Sequence, residues 1–372
     1  MDLSEFVIDG VMPPRVERPG GADDVVKVVQ GADRHREAIV VFGGGTRIGV
    51  GDAPSRYDMA LDMRGVRGVV EHSAADLICI VRAGTTLTEL GATLARARQR
   101  WPVDAALPER ATVGGTIASA APAASRLRYQ HVRDWVIGCE AVLGDGTRVR
   151  AGGRVVKNVT GYDLSRLYSG SYGTLAALTE VSLKLVAIDE RTSTLRSRGR
   201  ADDLAKIATE LRAALPLEAI VLVTGPAPAL YVRASGAASA VLRELREIGR
   251  RGSFEEVGDD AWAEVAATSA CAPEVARLAV PPGREAELIG YDGLAYVGTG
   301  IAFAFARSDD DLRALRERCE AMGGALVLER ASAERKLAVG VWGKERLPLS
   351  VAHGLKERFD PHGVLAPGRM PA

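Results

Sequence analysis

Short apolar runs alternate with glycine-rich turns through the first half of the chain, and their spacing predicts a series of small α/β elements. Behind Pro13 and Pro14, the pair Asp23 and Asp24 opens a helix whose apolar face is Val25, Val28, Val29 and Ala32; residues 38–42 then form a short buried strand. Further strands are expected at 59–63, 68–72 and 77–82. A helix follows through Leu87, Leu90, Leu94 and Ala97, capped by Thr85 or Thr86, with basic residues at 96–100 suiting its C-terminal end. Residues 135–143 and 148–150 flank the turn at 144–147 as a β-hairpin, a helix reaches Tyr168, and a last strand covers 177–185. Strands this short, with few crossover helices between them, predict a mixed sheet and not a doubly wound parallel one.

The texture changes near residue 190. Strand 193–198, helix 202–214, strands 219–224 and 230–234, helix 237–249 and strand 253–257 make a β-α-β-β-α-β series. The series recurs at 275–280, 284–288, 294–297, 301–306, 309–322 and 325–329, with a short first helix. Two ferredoxin-like units whose antiparallel sheets could join, with helices on one face, follow from that order. The linker at 187–192 divides the chain into domains of residues 1–189 and 190–372, and the fold class is α+β. A terminal helix near 348–359 precedes a closing tail, 359–369, whose two prolines and two glycines forbid a regular element, so the tail must wrap over something fixed.

Lysine plus arginine balances aspartate plus glutamate at net charge zero, so nothing calls for nucleic acid or an acidic membrane surface. The acidic start and the lack of any long apolar run predict a cytoplasmic protein with no membrane span of its own. Cys79, Cys139, Cys271 and Cys319 are far apart and lack histidine at ligand spacing, so four buried free thiols are expected and no metal site. Two glycine signals remain. Gly43, Gly44, Gly45 and Thr46 follow a buried strand, where successive amides can converge on phosphate oxygens or simply make a flexible turn. Neither G-x-G-x-x-G nor a P-loop is present there. Gly114 and Gly115 sit between Val113 and Ile117, ahead of a run of small side chains, and suit either a tight bend or a flat ligand against bare peptide.

In order along the chain, these motifs resemble the FAD-binding domain of the vanillyl-alcohol oxidase and p-cresol methylhydroxylase family over residues 10 to 186. Segments 107–115, 126–129, 152–164 and 170–174 carry the likeness, and within that family they are most similar to the FAD-binding subunits of bacterial glycolate oxidases. The tail 359–369 resembles the family's closing motif, with Ala366 where asparagine is usual. The resemblance implies a two-subdomain, PCMH-type FAD-binding domain, with FAD between it and the second domain. It implies non-covalent FAD, its pyrophosphate on Gly43, Gly44, Gly45 and Thr46. Thr112, Gly114, Gly115 and Ser119 would line the cofactor, Pro108 would wall its trench, and the Val181 backbone would read the adenine edge. Pro367 and Gly368 would approach the flavin ring from the second domain.

The same resemblance implies a dehydrogenase acting on a small 2-hydroxy acid. This chain would be the FAD-binding subunit, with a catalytic flavoprotein subunit and an iron–sulfur subunit as partners, through which peripheral membrane attachment could occur. Arg128 and Lys157 are the candidates for an anionic substrate or the flavin O2; the alternative for each is a solvated surface charge. His131 could sit near the flavin or serve a structural hydrogen bond. Tyr172 stands where catalytic relatives commonly carry glutamate, and His-rich metal motifs of related dehydrogenases are missing. A self-sufficient FAD oxidase and a non-catalytic scaffold of the same fold remain the alternatives.

Overall fold

The computed structural model describes residues 2–153, 163–288, 292–305, 308–344 and 348–371. Its contacts divide into two units, Met1–Ala121 with His131–Ile188 and Glu345–Ala372, and Pro122–Gln130 with Asp189–Lys344.

In the first unit, the stripe Val25, Val29 and Ala32 is fully buried on helix α1 (Ala22–His35), where it packs with Ile39, Met59 and Leu61. These last three belong to a parallel sheet of β1 (Val16–Glu17), β2 (Ile39–Phe42) and β3 (Met59–Asp62), ordered β1-β3-β2. Strands β4 (Val69–Ser73), β5 (Ile78–Arg82), β7 (Val136–Val142), β8 (Arg148–Gly152) and β9 (Ala177–Lys184) form a separate antiparallel sheet, ordered β4-β5-β9-β7-β8. The short pair β6 (Gln99–Arg100) and β10 (Val186–Ala187) stands apart. The expected mixed sheet is therefore two sheets. Long crossovers, α1 and the glycine loop, return β2 and β3 in the same direction as β1, whereas tight turns force β4–β5 and β7–β8 to run antiparallel. At the β7–β8 turn the Asp145 side chain accepts a bond from the Thr147 amide at 2.7 Å.

The tail belongs to this unit and not to a 190–372 domain. The Ile39 amide donates to the Val364 carbonyl and the Ala366 amide donates to the Ile39 carbonyl, each at 2.7 Å, so the tail runs beside β2. Asp360 is buried and accepts from the amides of Val364 and Leu365, both at 2.8 Å. Lys356 joins Asp360 to the carbonyls of Thr174 and Leu365. Once a buried carboxylate organises the turn, Val364 and Leu365 can enter the core without any regular element.

The second unit is one eight-stranded antiparallel sheet: β11 (Arg191–Arg198), β12 (Ala219–Thr224), β13 (Ala229–Gly236), β14 (Glu255–Val257), β15 (Val275–Ala279), β16 (Gly293–Tyr296), β17 (Ile301–Ala304) and β18 (Ala325–Arg330). Its order, β14-β11-β13-β12-β16-β17-β15-β18, is two ferredoxin-like halves joined through β12 and β16. Ile220 and Leu222 pack on the core under helices Ala201–Ala214, Ala238–Gly249 and Asp309–Ala321, while Ala219 and Val221 face the opposite side. Trp262 and Val265 of helix Asp259–Cys271 pack on that opposite side; the chain's periodicity had not predicted this helix. In the second half the first helix is reduced to a 3-10 turn, Glu285–Leu288. The buried Glu285 carboxylate accepts from the amides of Gly283 and Gly300 there. Ala124 also joins the sheet core, which draws residues 122–130 out of the predicted 1–189 domain. Three cysteines are buried, but Cys271 is exposed, because it ends a helix that covers the sheet only through its other side. Among the described residues no helix is long and apolar enough to cross a membrane.

Candidate functional site

A cleft in the first unit opens above the C-terminal end of β2. Its free space, counted to the open mouth, is about 710 Å3. Three segments build it: the loop after β2, the helix α3 (Val113–Ala118), and the turn carrying Tyr172 and Gly173.

Close backbone approach explains the glycines of the first segment. A Cβ on Gly44 would stand 1.7 Å from the Arg110 carbonyl oxygen, and one on Gly43 2.5 Å from Thr112 Oγ1. Gly45 has φ +70°, a left-handed conformation that favours glycine. The loop so shaped leaves the amides of Gly44, Gly45 and Thr46 without a hydrogen bond to any described residue. Successive free amides on a cleft wall can offer a partial positive charge to an anion.

Thr112 caps α3, its Oγ1 accepting from the Gly115 amide at 3.2 Å. The two glycines then part in role. Gly114 is buried, and a Cβ there would lie 2.7 Å from the Ala83 Cβ; Gly115 is exposed to the cleft and would meet only the capping Thr112 oxygen. Ser119 donates to the Gly115 carbonyl at 2.7 Å, which keeps its hydroxyl against the helix and leaves a flat wall. Tyr172 has φ +52°, and its amide donates to the Ala118 carbonyl at 2.8 Å, tying its turn to the end of α3. The tail secures the loop from behind: the buried Arg369 guanidinium donates to the carbonyls of Ile48 and Val50, and the Asp52 amide donates back to the Arg369 carbonyl at 3.2 Å. Burial lowers the pKa of Arg369, and Asp9, at 3.9 Å, draws it back up.

Eight of the ten expected cofactor residues line this one cleft: Gly43, Gly44, Gly45, Thr46, Thr112, Gly114, Gly115 and Ser119. Two do not. Pro108 is exposed, and its carbonyl accepts from the Thr88 amide. Val181 sits in the central strand β9, paired with Val81 on one side and Cys139 on the other, so its backbone faces neighbouring strands; Leu178 is the β9 residue on the cleft. Pro367 and Gly368, expected to reach the flavin ring from the second domain, belong to the first unit, where the Pro367 carbonyl accepts from the Ser55 amide, and neither lines the cleft. Arg128 belongs to the second unit, with Nη1 on the Ser235 carbonyl and hydroxyl. Lys157 lies outside the described residues. The His131 amide donates to Asp134 at 3.2 Å, in the cap of a short 3-10 turn. Ala83 also lines the cleft, in an Ala-Gly-Thr turn whose glycine has a physical reason: a Cβ on Gly84 would stand 1.9 Å from the Met63 carbonyl oxygen. Arg369 holds the loop without lining the cleft; the tail motif contained it, but its role was not legible because its carbonyl partners lie more than 300 residues away.

These features fit a dinucleotide: free amides for a pyrophosphate, a bare glycine for a flat group, and small neighbours along the wall. Residues 13–152 match the FAD binding domain family. Over 83% of this chain and 86% of the relative, the sequence is 30% identical to glycolate oxidase subunit GlcE of Escherichia coli. It is 33% identical to glycolate oxidase subunit GlcD of Bacillus subtilis, over 50% of this chain and 39% of that protein. Among solved structures, an alkyldihydroxyacetonephosphate synthase shares the fold at a TM-score of 0.70 and 15% identity, covering 95% of this chain and 76% of that one. The chain therefore belongs to the family of FAD-dependent oxidoreductases that contains glycolate oxidase subunit GlcE.

Proposed function

We propose that this chain is the FAD-binding subunit of a glycolate oxidase-like 2-hydroxy-acid dehydrogenase, and that it binds FAD non-covalently. The observation that carries the reading is the meeting of the unpartnered Gly44–Thr46 amides with exposed Gly115 on one cleft. The amides would hold the pyrophosphate, and Gly115 with Ser119 would give the flat wall. When bound, the flavin supplies acceptance of a hydride equivalent and release of single electrons. Arg369 would keep the loop shaped while the tail excludes water from behind it. The described lining residues include no histidine, carboxylate or lysine, so removal of a substrate proton falls to a group outside that lining. This supports work within a complex, with a second flavoprotein subunit and an iron–sulfur subunit to receive electrons. The likeness to GlcE, itself named as a subunit, supports it too.

The test is the visible spectrum of the purified chain before and after acid precipitation, followed by dye reduction with glycolate or lactate, alone and with partner subunits. Yellow protein that releases FAD and turns over only with partners is expected. Turnover by the chain alone would favour a self-sufficient oxidase. A colourless chain that takes up no FAD would refute the cofactor reading.

A further inference from the structure

A second depression, with free space of about 760 Å3 counted to its open mouth, lies wholly within the second unit. Leu127, Pro216, Leu217 and Ala240 give it apolar walls, and the first turn of the helix Ala238–Gly249 stands at its side. Glu244 lines it while only 5% exposed. That carboxyl makes no hydrogen bond to any described residue, and its Oε2 is buried without a partner. Such a group costs stability unless something satisfies it.

Two guanidiniums face the same space. Arg128 is fixed, its Nη1 donating to the Ser235 carbonyl at 2.6 Å and to the Ser235 hydroxyl at 2.7 Å, with Asp189 3.8 Å from Nη2. The Ser235 hydroxyl in turn donates to the Glu218 carboxylate, so that charge is already satisfied. Arg243 is exposed at the rim and forms no hydrogen bond or ion pair with a described residue. Burial raises the pKa of Glu244 while both arginines act against the rise, as expected of groups that share one small space.

We propose that this depression binds a small hydroxy carboxylate, its carboxylate on Arg128 and Arg243 and its hydroxyl on Glu244. One cation is preorganised and the other free to close, and the orphaned carboxyl gives a reason to prefer a hydroxylated ligand over a plain acid. The site is independent of the flavin cleft, so either assignment can fail without the other.

Calorimetric titration of the purified full chain with lactate, with propionate, which lacks the hydroxyl, and with sulfate tests this. Saturable one-to-one binding of lactate is expected, at least about tenfold tighter than propionate or sulfate. Arg243→Gln, at an exposed position, should weaken lactate about tenfold with FAD content unchanged. Glu244→Met should raise the melting temperature while abolishing the preference for lactate. Lactate binding unaffected by Arg243→Gln would place the ligand elsewhere and overturn the proposal. It would equally be overturned by absence of saturable binding, by equal affinity for the three anions, or by a lower melting temperature in Glu244→Met.

Discussion

Alanine placed in turn at Gly114 and at Gly115 separates packing from ligand contact in the cleft. At Gly114 the added carbon would stand 2.7 Å from the Ala83 Cβ and 3.1 Å from the Ala83 carbonyl oxygen, neither of which can swing aside. Overpacking of that kind costs about 1–3 kcal/mol, and the better helix propensity of alanine returns up to about 1 kcal/mol. The net loss of about 1–2 kcal/mol should lower the melting temperature of a unit of this size by about 2–8 °C. At Gly115 the added carbon meets only Thr112 Oγ1, at 2.9 Å. Disturbing that cap costs about 1 kcal/mol, which the gain in propensity offsets, so stability should hold. The methyl nevertheless stands on the exposed cleft wall, and crowding a bound cofactor by about 1–3 kcal/mol would weaken FAD roughly 5- to 150-fold. Thermal melts of the apoprotein and titration by quenching of flavin fluorescence measure both quantities. A Gly115→Ala protein that binds FAD normally, or melts as low as Gly114→Ala, would refute the division of roles.

Arg369→Met should leave the Ile48 and Val50 carbonyls unpaired at about 1–3 kcal/mol each and loosen the loop; a variant that keeps its FAD through gel filtration as well as the parent would contradict this. Burial pushes Asp62 up, but bonds from Arg64 and Arg18 more than reverse it, and Arg148 with Arg150 do the same for Glu140 against its burial. Because folded pKa values lie below unfolded ones, the unfolded chain takes up protons first; this stability is complete above about pH 4 and is lost as pH falls through the folded values. Glu180, raised by burial and by Glu140, works in the opposite direction. Urea midpoints should therefore drop on acidification, and Asp62→Asn should flatten the drop; parallel curves would count against it. Burial pushes the thiols of Cys79 and Cys319 up to about 11 and of Cys139 up to about 12, while Cys271 is exposed. One thiol should react with a disulfide reagent in the native protein and the rest only on unfolding, a count that absorbance at the reagent's wavelength reads directly.

Much of this architecture was legible locally. The stripe of α1 and the repeated strand–helix order of the second unit were readable from local pattern, the stripe because the side of burial on a helix repeats every 3.6 residues. The glycines at 43–45 and 114–115 also announced a site, since glycine in a buried apolar run needs a use. Local pattern could not say which use. Gly114 and Gly115 are the same residue one position apart, and only the arrival of Ala83 from β5's end makes one a packing contact and the other a bare wall. Nor could it place Val181, because whether a strand is central or at an edge depends on which strands pair with it.

Pairing over long chain separations was decided by the tertiary structure alone. Ile39 meets Val364 and Ala366, and Ile48 meets Arg369, across more than 300 residues, so no window of sequence contains both partners. Composition and spacing determined that the chain had strands, helices, turns and a tail needing an anchor. Which unit held that tail was settled by the pairing of residues 364–366 with Ile39 of β2 and by the burial of Asp360 beside them, since a buried carboxylate and its amide partners exist as a group only once the chain has closed on itself.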